Sequence, residues 1–258
     1  MIDLHTHILA EIDDGAQTMS ESLEMAEIAV SDGIKTVVAT PHSGRLPADS
    51  PAAEVGRGVE RLRKELADHH IELGIVPGSE NHLTADLARR VQEGRALTLG
   101  TSNYLLVELP YQGYAPYTEQ VLFELQAIGL VPIIAHPERS AAFQKDPNLL
   151  YRFVERGMLA QITGASLTGA FGPEAKRTAE TLTLRHLAHV IATDAHSPQS
   201  QLTTPALSPG VEAAAKLVGE EHAHAMVTTI PQAILRGEKV EVAPLSASKP
   251  RRIWAFWR

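Results

Sequence analysis

The chain has 258 residues, 44% hydrophobic and 21% charged, which is enough apolar side chain to bury a sizeable core. It contains no cysteine, so disulfides, thiolate metal sites and cysteine nucleophiles are excluded, and any metal must be held by His, Asp, Glu and water. A formal net charge of −8 argues against nucleic acid as a partner but not against a phosphate substrate, because bound cations can invert the sign of a local site.

Seven β-rich runs are predicted in chain order: Ile2–Thr6, Lys35–Thr40, Glu72–Val76, Tyr104–Leu109, Val131–Ala135, Leu159–Thr163 and His189–Thr193. Several are nearly all apolar, as parallel strands covered on both faces would be. Helical patterns lie between them. Thr18 to Glu21 reads as a capping box opening a helix that carries Leu23, Ala26 and Val30, and Gly33 stops it. A second helix is predicted from Pro116 to Ile128, with Gly129 just beyond. Others are expected over 52–70, 84–93, 147–156, 173–187 and 208–218, and a last short one near Pro231. Alternating strands and helices predict an α/β fold of βα units, a small distorted (β/α)7 barrel, with a doubly wound sheet as the alternative. No glycine-rich nucleotide fingerprint follows any strand. No apolar stretch reaches about 18 residues and no basic-then-apolar leader is present, so a cytoplasmic location is expected. Residues 1–242 are expected to form the domain. Residues 243–258, basic and aromatic with Trp254 and Trp257, read as a tail that is either frayed or a weak anchor for a membrane surface or a partner.

In a parallel barrel, chemistry collects at the C-terminal ends of the strands. Read at those ends, six of the seven runs deliver a ligand-type residue: His5 and His7, then Asp13 and Asp14; His42; Glu80; Glu108; His136 with Glu138 and Arg139; Asp194 and His196. Side chains two apart on a strand share a face, so His5 and His7 can address one centre. Glu108 sits inside an apolar run, where a carboxylate must be paired or metal-bound. Asp3 and Asp13 read as orienting or turn residues. His69, His70, His82, His186, His189, His222 and His224 read as surface or helix-end residues.

The ordered set His-x-His, Asp-Asp-Gly, Thr-Pro-His, Gly-x-Glu, a buried Glu, His-Pro-Glu-Arg and Asp-Ala-His resembles the PHP (polymerase and histidinol phosphatase) superfamily. With Ile12 to Gly15 and Thr40 to His42, it is similar to the capsule-type bacterial protein-tyrosine phosphatases, over residues 1 to about 240. The resemblance implies a PHP-type distorted (β/α)7 barrel with three divalent metal ions, manganese foremost and iron, zinc or magnesium as alternatives. Carried over, His5, His7, Glu80 and Asp194 hold one ion; Glu80, Glu108 and His136 a second; Asp14, His42 and His196 a third. Arg139 matches the arginine that grips the phosphoryl group. A second arginine found in some relatives after Asp-x-His is absent from Ser197 to Pro205, and Arg45 is the candidate replacement.

The chemistry expected is hydrolysis of protein phosphotyrosine by a metal-bridging hydroxide attacking phosphorus. Arg139 is expected to steady the charge, and His42 or His196 is the candidate general acid. A tyrosine autokinase of exopolysaccharide or capsule assembly is the partner implied by the resemblance. The alternatives are a small-molecule phosphoesterase, such as a histidinol-phosphate phosphatase, and a non-catalytic regulatory metal-binding protein. The loop Pro110 to Tyr117 reads either as the wall of an aryl-accepting cleft or as a self-packed surface loop.

Overall fold

A computed structural model of the protein describes residues 1–47, 50–200 and 202–241. The segment 243–258, expected as a tail, lies outside them. The fold is mixed α/β with two parallel sheets. One has the order β1 (Ile2–Thr6), β2 (Thr36–Ala39), β3 (Gly74–Pro77). The other runs β4 (Asn81–His82), β5 (Tyr104–Glu108), β6 (Val131–Ala135), β7 (Leu159–Thr163), β8 (Val190–Ala192). Two isolated parallel bridges, Thr6 with Ala195 and His42 with Glu80, lie where the sheets approach each other.

Both faces of β1, β2 and β5 to β8 are buried almost throughout, which is why those runs read as continuous hydrophobics, whereas β3 and β4 have exposed or half-buried residues. Leu4, Val38, Leu106, Ile133, Leu159, Val190 and Ile234 meet in one cluster, with Ile230 packed against it. Val37, Ile75, Leu105, Val107, Ile134, Ala160 and Ile191 belong to the other, larger cluster, with the apolar stripes of the helices. The helices are α1 (Met19–Ser31), α2 (Pro51–Asp68), α3 (Leu87–Gln92), α4 (Thr118–Ala127), α5 (Ala141–Lys145), α6 (Asn148–Glu155), α7 (Gly164–Thr168), α8 (Gly172–Leu184), α9 (Ser208–Val218), α10 (Glu220–Ala225) and α11 (Thr229–Leu235).

The caps follow the local sequence. The Thr18 hydroxyl accepts from Glu21 N, and the Glu21 carboxylate accepts from Gln17 N, one residue before the cap that a capping box would use. At the far end of α1, Gly33 takes φ 88°, and Gly33 N and Ile34 N donate to Val30 O and Ala29 O, closing a Schellman turn. The second expected helix starts at Thr118, two residues after Pro116. Three short helices, α5, α7 and α10, and the two-residue β4 were not expected.

His189 corrects the sequence reading. It is 5% exposed, and Ala160 N donates to its Nδ1 at 3.1 Å. Burial, aided by His222 and His186, lowers its pKa to about 4, so it is neutral in the folded chain. The unfolded chain, with a histidine pKa near 6.5, therefore takes the proton first. Stability should be level above about pH 6.5 and fall on acidification, with a loss of roughly 2 kcal/mol from this residue by pH 5. His189→Asn keeps an acceptor for Ala160 N and should flatten that slope in urea titrations at pH 5 and 7; parallel slopes for the two proteins would refute the assignment.

Candidate metal centre

The nine residues expected as ligands converge at the C-terminal ends of the strands. His5 Nε2 and His7 Nε2 face each other at 3.2 Å, and both side chains are fully buried. Glu80 Oε2 lies 3.5 Å from the first and 3.6 Å from the second, and Asp194 Oδ1 3.2 and 3.5 Å from them. Glu80 reaches outward as well, with His136 Nε2 at 2.9 Å from Oε1 and His42 Nδ1 at 2.9 Å from Oε2. Glu108 Oε1 stands 3.9 Å from His136 Nε2. At the mouth, Asp14 Oδ1 lies 3.4 Å from His42 Nε2 and 3.8 Å from His196 Nε2. Three groups within this set could each hold a cation: His7, Asp14, His42 and His196; His5, His7 and Glu80; His42, Glu80 and Glu108.

The tautomers suit this use. His5 Nδ1 meets Gln161 Oε1 at 3.0 Å, His7 Nδ1 meets Asp13 Oδ2 at 2.7 Å, and His196 Nδ1 meets Asp194 O at 2.8 Å. Each of these partners is an acceptor, so Nδ1 carries the hydrogen and the Nε2 lone pair points into the site. The donor set is imidazole nitrogen and carboxylate oxygen without sulfur, which fits manganese, iron, zinc or magnesium.

The electrostatics carry the same signature. Burial opposes charge on His5, but the Asp194 and Glu80 carboxylates outweigh it and raise its pKa to about 9. His7 is driven up in the same way by Asp13 and Asp194. Glu80 and Asp194 are held far below the usual carboxylate range against their burial, chiefly by His5. So much buried negative charge at one point is a cation's environment.

Local backbone explains the placement. His136 and Asp194 sit at φ 31° and 53°, left-handed conformations that few non-glycine residues adopt and that mark functional sites when the surroundings hold them. Gly15 ends the Asp-Asp-Gly turn against His7, where a Cβ would lie 2.0 Å from His7 O. Only glycine lets Asp13 fold back onto His7 Nδ1 while also accepting from His42 N. Asp3, raised to about 6 by burial, accepts from Thr193 N at 3.1 Å and His5 N at 3.3 Å, tying β1 to the end of β8.

Arg139 follows His136 on a single 3-10 turn, Pro137–Arg139. Its guanidinium donates to Asp194 Oδ2 and, at 2.6 Å, to the Tyr111 hydroxyl. It also stacks over Phe171 at 4.5 Å and Tyr111 at 5.0 Å. Glu138, fully buried, accepts from Thr163 N and the Ser166 hydroxyl and so fixes that turn on the end of β7. Arg45 lines the open cleft of about 340 Å³ beside His42, Glu80 and Glu108. The two readings of the Pro110–Tyr117 loop divide by residue. Tyr111 stacks on His136 at 5.5 Å, whereas Tyr114 packs on the main core.

Sequence reasoning missed Gln161 and assigned no role to Glu138 or His82. Gln161 carries no signal beyond a polar residue in a buried strand, and Glu138, counted among the strand-end residues, carries none for its role in fixing the turn. His82 is exposed, as its surface reading expects, and in addition holds Glu108 Oε2 at 2.6 Å through Nδ1. Its position beside the Gly-x-Glu motif was the available clue.

The family model for capsular polysaccharide synthesis proteins, CpsB/CapC, matches residues 1–236. The tyrosine-protein phosphatase YwqE of Bacillus subtilis is 35% identical over 259 residues, covering the whole of both chains. The tyrosine-protein phosphatase CpsB of Streptococcus pneumoniae is 27% identical over 93% of this chain and 100% of its own. A crystal structure from work on YwqE and CpsB, described there as metal-dependent tyrosine phosphatases, superposes with a TM-score of 0.89 at 34% identity, covering 96% of this chain and 100% of its own. A histidinol phosphate phosphatase from Lactococcus lactis shares the fold at a TM-score of 0.55 and 12% identity, over 84% of this chain and 94% of its own. The chain belongs to the CpsB/CapC family.

Proposed function

We infer that the protein is a metal-dependent tyrosine-protein phosphatase. The observation that carries this reading is the convergence of His5, His7, Asp14, His42, Glu80, Glu108, His136, Asp194 and His196 on one centre. Family membership and relatives bearing that activity support it. In this reading the two sheets form one distorted barrel, closed through the Thr6–Ala195 and His42–Glu80 bridges, with the strand ends as its catalytic rim. The site would take three divalent ions, manganese foremost, one held by His5, His7, Glu80 and Asp194, one by Glu80, Glu108 and His136, and one by Asp14, His42 and His196. The substrate is a phosphotyrosyl protein in the cytoplasm, a tyrosine kinase of exopolysaccharide or capsule assembly.

Bound divalent ions would supply Lewis acidity toward the phosphoryl oxygens and lower the pKa of water to roughly 7. The side chains do the rest. Asp13, Gln161 and the Asp194 carbonyl hold the imidazoles in the donor tautomer. Arg139 can turn its fork from Asp194 to two phosphoryl oxygens and neutralise the charge that builds there. Tyr111, whose phenol burial pushes upward, stays protonated against Arg139, and its ring beside His136 offers a wall to the substrate's aryl group. His42 and His196, with side chains 26% and 24% exposed, are the rings at the mouth with access to the leaving oxygen. A phenolate leaves with a pKa of about 10, so its protonation contributes little to the rate.

The direct test is a paired rate measurement on a phosphotyrosyl peptide and on histidinol phosphate with manganese-loaded protein. The peptide should win by at least about 100-fold in kcat/KM, and a preference for histidinol phosphate would overturn the substrate assignment. Arg139→Ala should lower kcat/KM for the peptide by on the order of 100-fold. An unchanged value would remove Arg139 from the phosphate grip.

A further inference from the structure

A second cleft, of about 290 Å³, adjoins the metal-facing one and is lined in part by Ser43, Gly44, Asp86, Arg90 and Arg95. The two clefts share Ser43 and Gly44. A Cβ at Gly44 would meet nothing within 4 Å, so the saddle between them is low and open. Arg90, on α3, is half-buried and directs one guanidinium nitrogen at Ser43 O and Oγ over 3.4 and 3.3 Å, long contacts for a charged donor. Among the described residues Arg90 forms no ion pair, whereas Arg89 is matched by Asp86 and Glu93, and Arg95 by Glu93. Among the described residues, Asp86 is the acid lining this cleft; it bonds to the Thr84 hydroxyl and to Arg89, and Arg90 also contributes to holding its carboxyl below the usual range. A half-buried guanidinium whose hydrogen bonds, among the described residues, are two long contacts to Ser43 gains from an anion that can present two oxygens to it.

We propose that this cleft is a subsite for an anionic side chain of the substrate, borne on the same polypeptide within a few residues of the phosphotyrosine; it rests on the phosphotyrosine reading above. An extended peptide advances about 3.3 Å per residue and presents alternate side chains to one side. With its phosphotyrosine in the cleft of His42, Glu80 and Glu108, such a peptide crosses the Gly44 saddle and offers a neighbouring side chain to Arg90. A carboxylate and a second phosphate share the required chemistry. The subsite thus selects the sequence context of the tyrosine, while the metal centre selects the phosphate.

The test uses manganese-loaded full-length protein and phosphotyrosyl peptides carrying one glutamate at each position from three before to three after the tyrosine, each matched to its glutamine counterpart. At one position glutamate should raise kcat/KM about tenfold over glutamine, mainly through KM. Arg90→Gln should bring that ratio, taken within the variant, to about one, and Arg90→Lys should restore part of it. Because the ratio is internal to each variant, a general loss of activity through Ser43 would not mimic the result. A second phosphotyrosine at the same position should raise the ratio further if phosphate is the physiological anion, and match glutamate if a carboxylate is. No preference at any position, or a preference that survives Arg90→Gln, overturns the subsite while leaving the phosphatase reading intact. Failure to hydrolyse any of the peptides overturns both.

Discussion

Glu80→Ala and His136→Ala are each expected to reduce phosphatase turnover by at least about 1000-fold while leaving a folded protein. Glu80 is the hinge of the centre, with carboxylate oxygens within 2.9 to 3.6 Å of His5, His7, His42 and His136. Removing it strips a negative charge from the point where cations would gather, and it releases His136 and His42 from their present geometry. His136 lies between Glu80 and Glu108 and under Tyr111, so its loss opens the same centre from the other side. Neither side chain belongs to the apolar clusters that hold the sheets to the helices. The Glu80 backbone bonds, N to Pro41 O and O from Ser43 N, survive the substitution. The cost to stability is therefore that of a few unpaired buried nitrogens, about 1–3 kcal/mol. Rates on p-nitrophenyl phosphate and circular-dichroism melts decide the matter together. A folded variant with wild-type turnover would remove that residue from the site.

How much of this was legible in the sequence depends on which physical signal each part leaves. Strands buried on both faces leave apolar runs, and all seven were found, with ends moved by at most two residues. The amphipathic helices α1, α2, α4, α8 and α9 leave a period and a stop. The helix α7, five residues with glycine at its start, leaves neither. It packs on α9, where a Cβ at Gly210 would fall 2.5 Å from Gly164 Cα, so tertiary contact and not propensity makes it helical. The strand β4 is two residues long, below the length at which alternation can be read. In the site, the ligand-type residues were visible as a series because they lie at or just after the C-terminal ends of successive parallel strands. Their supports were visible only in part. Asp13 is announced by the turn it makes, whereas Gln161, Glu138 and His82 act through partners 156, 28 and 26 positions away. No local pattern encodes such pairings, and His189, buried without a polar motif around it, shows the same blindness in the core.

Removal of divalent ions should abolish turnover and also loosen the fold, and the second effect separates a built metal centre from a merely electrostatic one. Without ions, the buried carboxylates Glu80 and Asp194 are answered by protons on His5 and His7, whose pKa values stand above the ordinary histidine range. Ions that bind only the folded chain add stability by mass action, about 2.7 kcal/mol for each site filled at a hundred times its dissociation constant. For a chain of this size about 1 kcal/mol moves Tm by 2–4 °C, so each emptied site should lower Tm by roughly 5–10 °C. Dialysis against a chelator should therefore give a protein that melts lower and hydrolyses no aryl phosphate. Manganese should restore both properties, with zinc, iron and magnesium as comparison arms. The release of protons on reloading, followed with a pH indicator in weak buffer, gives a readout independent of turnover, because the imidazoles must become neutral to act as donors. Chelated protein that keeps its rate, its Tm and its proton count would show that the nine converging side chains form a hydrogen-bonded cluster and nothing more.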